Sequence, residues 1–145
     1  MKLKSKDFEH EGMIPSRFTC DGEDVSPQLE WSDVPAGTKS LALIVDDPDA
    51  PAGLWVHWLI CDIPPRVKEI PQRSVPRGAK QIKNDFGKPE YGGPCPPSGT
   101  HRYFFKLYAL KVDKLEGAND KKSFYKKVDE NKIGEAALMG KYKRK

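Results

Sequence analysis

The sequence lacks any apolar run long enough to cross a membrane as a helix. Its first twelve residues, MKLKSKDFEHEG, have no apolar core of the kind found in signal peptides. It also contains no internal repeat and no low-complexity segment. We therefore expect one globular domain over residues 1–145, located in the cytoplasm and without integral membrane contact.

Cysteine is scarce, with three residues at Cys20, Cys61 and Cys95 and no C-x-x-C pair. An odd number of widely separated cysteines argues against a disulfide framework. The pattern predicts three unpaired, small, buried side chains in a reducing compartment.

A one-sided excess of charge is also missing, because the net charge is only +4 and much of it lies in the Lys-rich C-terminal third. A nucleic-acid-binding surface would need a basic stripe with exposed aromatic side chains, and none is evident. We expect no nucleic-acid partner. The 13 prolines and 12 glycines are spread along the chain between short apolar runs, which indicates a loop-rich, mainly β domain.

The centre of the chain carries two apolar runs of strand length, 41–45 and 55–63, separated by an acidic loop rich in Pro and Gly. In the second run both alternate sets of residues are mostly apolar, which predicts a strand covered on both faces. His57 lies inside this run and needs a hydrogen-bond partner, for which the preceding carboxylates are the nearest candidates.

Residues 66–90 have no helical period and predict a long surface excursion, of the kind that often binds ligands. Residues 91–100, YGGPCPPSGT, contain three Gly and three Pro and predict a rigid loop that a ligand can approach closely. The strand that follows has its more apolar face on the odd-numbered positions, so His101 is predicted to point inward.

One helix is predicted, from Asp120 to about Glu130, with Asn119 or Asp120 as its N-cap. Phe124 and Val128 lie one turn apart on its buried face. The tail, 134–142, is ambiguous, because its Ala- and Leu-rich part prefers helix and Gly140 interrupts it.

The candidate site combines Asp47, Asp49, His57, His101 and the loop at 92–99. Two His and a carboxylate could bind a metal, but no pair has a short chelating spacing. Two inward imidazoles beside free backbone N–H groups could instead bind an anion such as phosphate, with the carboxylates orienting the rings. Both histidines could also be ordinary core residues.

An Asp–His pair could also act as a general base in catalysis. A nucleophile would then be needed, and Ser98 and Cys95 are the local options. Neither lies in a recognisable nucleophile elbow.

These motifs resemble those of the phosphatidylethanolamine-binding protein family, which includes the Raf kinase inhibitor proteins, and in particular its small bacterial and archaeal branch. The resembling segments run in order over nearly the whole chain. They are Ile14-Pro15, Thr19 to Gly22, Ser26-Pro27, DDPDAP (46–51), WVHW (55–58), NDFG (84–87), YGGPCPPSGTHRY (91–103) and LMGKY (138–142).

The resemblance implies a two-sheet antiparallel β-sandwich with one or two short peripheral helices, and it favours a strand for the tail. It also implies a cis peptide bond between Ala50 and Pro51. The family's anion pocket opens between the DPDAP loop and the GPCPP-to-HRY segment. Carried over to this chain, the ligand-binding residues are Asp47, Pro51, Trp55, His57, Tyr91, Cys95, Pro97 and His101.

The resemblance implies a non-enzymatic binding protein without metal or cofactor. Its ligand would be a small phosphorylated anion, such as a phospholipid headgroup or a phosphorylated side chain, and its protein partner a kinase or protease that it modulates. The chain departs from eukaryotic members because it lacks their longer C-terminal helix, which puts a kinase-inhibitor role in question. The alternative is a small hydrolase or another enzyme that uses the Asp/His pocket.

Overall fold

The computed structural model of the protein describes residues 1–144. In this part of the chain the regular structure is mostly β. The strands are β1 (Lys2–Lys4), β2 (Leu29–Ser32), β3 (Ser40–Asp47), β4 (Trp55–Ile63), β5 (Glu69–Ile70), β6 (Lys80–Ile82), β7 (His101–Leu110) and β8 (Lys132–Tyr142). A single α-helix, α1, spans Lys121–Asn131, and one 3-10 turn spans Ser16–Phe18.

The strands form two antiparallel sheets, one of three strands in the order β1-β2-β5 and one of five in the order β6-β4-β3-β7-β8. The predicted β-sandwich is therefore confirmed. β3 and β7 lie in the middle of the larger sheet, and their apolar character is that of strands that do not reach an edge.

The larger sheet is covered on both faces. This was predicted from residues 55–63, in which both the odd- and the even-numbered positions are mostly apolar. On one face, Leu43, Val45 and Ile60 belong to a core shared with the small sheet. On the other face, Ile44 and Leu59 belong to a second core under α1. Burial on both sides explains why these strands read as nearly continuous apolar runs.

Helix α1 begins after Asp120, whose carboxylate accepts a hydrogen bond from the backbone N–H of Ser123 at 2.8 Å. The predicted N-cap and the burial of Phe124 and Val128 are both confirmed. The tail is strand β8, which pairs with β7 along its whole length from His101 to Leu110. Tertiary pairing has thus overridden the helical preference of its Ala- and Leu-rich part.

Two predictions were wrong. None of the peptide bonds in residues 1–144 is cis, so the bond before Pro51 has the trans form that an X-Pro bond prefers by about 0.5–1 kcal/mol. Cys20 and Cys95 form a disulfide, with their Cα atoms 5.4 Å apart. Only Cys61 is a free, buried thiol. The two half-cystines are 75 residues apart, and chain spacing could not show that the fold makes them neighbours.

The part of the chain that the structure describes contains no helix that is long and apolar enough to span a membrane.

Candidate functional site

A cavity of about 260 Å³ opens where β3 ends and where β4 and β7 begin. It is bordered by the loops that follow β3 and precede β7. It is lined by seven of the eight residues predicted to bind a ligand: Asp47, Pro51, Trp55, His57, Cys95, Pro97 and His101. Volumes of this size lie below those of most drug-sized ligand sites, which favours a small ligand.

Asp47 is the last residue of β3 and is buried. Its Oδ1 atom accepts the backbone N–H of Asp49 at 2.7 Å, which tightens the turn that leaves the strand. Its Oδ2 atom accepts the Nδ1–H of His101 at 2.7 Å. Each carboxylate oxygen therefore accepts one hydrogen bond within the protein, and Asp47 orients the His101 ring at the edge of the cavity.

His57 reaches the cavity through a β-bulge. Val45 pairs with Trp58 and Asp46 pairs with Val56, so His57 is the extra residue of β4. A bulge of this kind redirects a side chain, and it breaks the simple alternation that had grouped His57 with Leu59. The His57 ring lies edge-on to Tyr103, with centroids 5.2 Å apart.

The hydrogen-bond partner of the His57 ring is not a carboxylate, as the sequence suggested, but the backbone carbonyl of Gly92. The distance from Nδ1 to this oxygen is 2.7 Å. A carbonyl oxygen can only accept, so Nδ1 carries the proton. The same argument places a proton on Nδ1 of His101, because its partner is the carboxylate of Asp47.

Each ring thus has its Nδ1 atom engaged by an acceptor within the protein, and its Nε2 atom is the nitrogen left for a ligand. In the neutral tautomer Nε2 accepts a hydrogen bond, and it becomes a donor only when the ring takes up a second proton. The pair can therefore bind an anion in its protonated form.

Burial lowers the pKa of His57 below its usual value of 6.5, and this effect outweighs the opposing influence of the Gly92 carbonyl and of the charge on Asp47. His57 is consequently neutral near pH 7. A ligand that needs two donors must bring a proton to His57 or bind at lower pH.

Two of the loop amides that were predicted to be free donors, those of Gly92 and Gly93, are engaged elsewhere. The N–H of Gly92 donates to the carbonyl of His57 at 3.1 Å, and the N–H of Gly93 donates to Oδ1 of Asp24 at 2.8 Å. Pro94, Pro96 and Pro97 have no N–H. The backbone from Gly92 to Pro94 and at Pro96 and Pro97 therefore has no free donor, which leaves the imidazoles as donor groups on this side of the cavity.

Asp49, also part of the predicted constellation, holds the loop after β3 against the start of β7. Its carboxylate accepts from the backbone N–H, Nε and Nη2 of Arg102 at 2.9, 2.9 and 2.8 Å. The side-chain hydrogen bond from Arg102 is the main cause that lowers the pKa of Asp49 to about 2. Asp49 does not line the cavity and acts as a brace for the loop that does.

Tyr91, the eighth predicted residue, does not line the cavity. Its hydroxyl donates to the carbonyl of Phe18 at 2.7 Å, and its ring lies edge-on to Trp58. Tyr91 therefore joins its loop to the segment that carries Cys20, outside the cavity. The disulfide joins this segment to Cys95 in the cavity wall.

Five further residues line the cavity without having been predicted to bind: Ala50, Ala52, Phe86, Pro96 and Tyr103. Tyr103 shares the inward parity of His101, so strand alternation could have identified it. Phe86 comes from the excursion at 66–90, where the Asn84-to-Gly87 turn was the only local signal. Among residues 1–144, no group of three or more His, Cys, Asp or Glu side chains is placed to hold a metal ion.

Comparison with known proteins gives a consistent result. The family model described as phosphatidylethanolamine-binding protein matches residues 4–143. A UPF0098 protein of Methanothermobacter thermautotrophicus is 49% identical over 150 residues, covering 99% of each chain. A UPF0098 protein of Aquifex aeolicus is 46% identical, covering 99% of this chain and 89% of its own.

Two solved structures have the same fold. Escherichia coli YbcL, described as a new member of the mammalian PEBP family, has a TM-score of 0.93 at 35% identity and covers 99% of this chain and 98% of its own. A phosphatidylethanolamine-binding protein homologue, CT736 from Chlamydia trachomatis, has a TM-score of 0.92 at 38% identity, with coverage of 99% and 97%. The family model spans nearly the whole chain, and the cavity is formed by the motifs that resemble the family's. The chain therefore belongs to the phosphatidylethanolamine-binding protein family.

Proposed function

We propose that the protein binds a small phosphorylated anion in this cavity, through the Nε2 atoms of His57 and His101. The observation that carries the proposal is that both rings line one cavity while their Nδ1 atoms are held by fixed acceptors, Gly92 and Asp47. Protonated imidazoles donate charge-assisted hydrogen bonds, which phosphate oxygens accept well. A phospholipid headgroup and a phosphorylated side chain share this chemistry.

Anion binding should take up protons, because the donor forms of both rings carry an extra proton. The affinity for a phosphomonoester should therefore rise as the pH falls from about 8 to about 6.5. In this range His57 is mostly neutral in the free protein and gains its proton in the complex, while the phosphomonoester stays mostly dianionic. The carboxylate of Asp47 lies next to His101 and would repel an anion bound there, so a bound anion needs charged donors in the cavity.

The test is a phosphoethanolamine and inorganic phosphate titration followed by NMR in wild type, His57→Ala and His101→Ala. Loss of one hydrogen bond from a charged donor should weaken binding by about 10- to 100-fold. His10→Ala is the matched control, since His10 is exposed and lies outside the cavity. Equal affinities in all four proteins, or no shift at the amides of Gly92 and Gly93 in wild type, would exclude the cavity as the site.

The hydrolase alternative receives less support from the cavity. Of the two nucleophiles considered, Cys95 is in a disulfide and Ser98 does not line the cavity. Activation of water by the Asp47–His101 pair is the route that remains, and release of phosphate from a phosphoester panel, lost in Asp47→Asn, would favour it.

A role in modulating a kinase or protease, and a cytoplasmic location, remain predictions from the resemblance and the sequence. The disulfide is unusual for a reducing compartment outside heat-adapted organisms, so its redox state in the cell is a direct check on location.

A further inference from the structure

The ligand cavity shares a wall with a second cavity of about 210 Å³. The second cavity lies on the other side of the segment that contains Gly92 and is bordered by the charged side chains of Asp24, Lys88 and Glu90. Phe86 and Cys95 line both cavities. Cys95 is tied to Cys20, which leaves Phe86 as the unconstrained side chain between the two spaces.

Phe86 is 43% exposed to solvent although its side chain lies between the two cavities. It touches Trp55 and His57 edge-on, with centroids 5.6 and 5.3 Å apart. It also lies directly on the backbone of Gly92, where an added Cβ atom would be 2.5 Å from the Cδ2 atom of Phe86. The ring therefore lies between the two cavities, against the bare backbone of Gly92, and the absence of a side chain at Gly92 leaves room for it.

The backbone that carries Phe86 is held firmly by Asn84, which is buried. The Asn84 amide donates to the carbonyls of His57 and Glu90 at 3.0 and 2.8 Å, and its Oδ1 atom accepts from the N–H groups of Phe86 and Lys88 at 2.9 and 3.1 Å. Removal of the Phe86 side chain should consequently leave the turn in place. The half-exposed ring itself contributes little to the core.

We propose that Phe86 determines the ligand specificity of the cavity, by closing off the second cavity and limiting ligands to the size of a small phosphorylated headgroup. This inference rests on the phosphate-binding function proposed above. Without the ring, the space continues past Gly92 toward Lys88 and Glu90, whose charged side chains suit a polar group. The enlarged cavity should accept a phosphomonoester with a bulky polar body, such as a hexose phosphate.

The experiment compares wild type with Phe86→Ala for inorganic phosphate and for glucose 6-phosphate, by calorimetry or NMR. Inorganic phosphate should bind both proteins within about threefold, because the imidazoles are unchanged. Glucose 6-phosphate should bind Phe86→Ala at least about tenfold more tightly than wild type, which corresponds to about 1.4 kcal/mol. Phe104→Ala is the matched control, since Phe104 is a half-buried phenylalanine that lines neither cavity.

Unchanged glucose 6-phosphate affinity in Phe86→Ala, with phosphate still bound, would overturn the specificity role. A tenfold loss of inorganic phosphate affinity in that variant would overturn it too, because Phe86 would then act by orienting His57. A ligand-free measurement separates this proposal from the phosphate function. The neutral nitroxide TEMPOL should broaden the Gly92 amide signal more strongly in Phe86→Ala than in wild type, because the ring covers this backbone only in wild type. Equal broadening in the two proteins would refute the closure of the second cavity by Phe86, even if no phosphate binds.

Discussion

Cleavage of the Cys20–Cys95 disulfide should destabilise the fold strongly while leaving ligand affinity almost unchanged. The bridge closes a loop with a sequence separation of 75 residues. In the chain-entropy description, a loop of this length restricts the unfolded state by an amount equivalent to about 4.5 kcal/mol of folding stability. For a domain of this size that corresponds to a fall in Tm of about 10 to 15 °C.

The folded geometry should survive because other contacts join the same two segments. The N–H of Cys20 donates to the carbonyl of Pro94 at 3.1 Å, and Gly93 and Asp24 are hydrogen-bonded at 2.8 Å. These bonds keep the carbonyl of Gly92 in place for the His57 ring. The disulfide therefore acts mainly on the unfolded chain, and the effect on stability and the effect on binding should separate.

The assay is urea unfolding of the oxidised protein, of the protein reduced and alkylated, and of a Cys20→Ala/Cys95→Ala variant. The variant is the control, since a reductant should leave its unfolding midpoint unchanged. Thiol titration verifies the starting states. Cys61 is buried, and burial raises its pKa to about 12, so it should react only after denaturation.

Two results would refute this reasoning. If reduction lowers the free energy of unfolding by less than about 1 kcal/mol, the unfolded chain must already be restricted between Cys20 and Cys95 without the disulfide, and the chain-entropy estimate fails. If reduction instead weakens phosphate binding tenfold or more, the disulfide holds the cavity wall in place and the hydrogen bonds between the segments do not suffice.

Two further predictions concern the histidine and the helix. Because His57 has a lowered pKa in the folded protein, the unfolded chain binds more protons, so stability without ligand should fall as the pH drops below about 6.5. In His57→Gln, the free energy of unfolding measured with urea should fall less steeply with decreasing pH than in wild type. The same pH dependence in both proteins would contradict the lowered pKa of His57. Phe124→Ala should cost about 3–5 kcal/mol in urea unfolding, because the Phe124 side chain is fully buried between α1 and the larger sheet. Phosphate affinity should stay the same, since this core lies on the opposite face of the larger sheet, and a large loss of affinity would disprove the separation of the two faces.

Local chemistry in the sequence was enough to predict a mainly β domain, its central strands and its helix, whereas the two-sheet arrangement was implied by the family resemblance. The central strands were evident from their apolar runs, and the capped helix from Asp120 together with the spacing of Phe124 and Val128. The strand in the tail was predicted from the resemblance, since the residues of the tail prefer helix. Its strand forms only because it pairs with β7. Periodicity and capping depend on residues a few positions apart, and a sequence displays such relations directly.

Long-range contacts determined the rest. The inward position of His101 followed from strand parity, but the bulge that redirects His57 depends on the register between β3 and β4. The carbonyl of Gly92 became the partner of His57, and Cys20 met Cys95, through packing of segments far apart in the chain. Phe86 entered the cavity for the same reason, from a loop without a regular period. The sequence determines which donors, acceptors and thiols the chain contains. Which of them pair is decided by the tertiary structure, because it brings distant segments together when the two sheets pack.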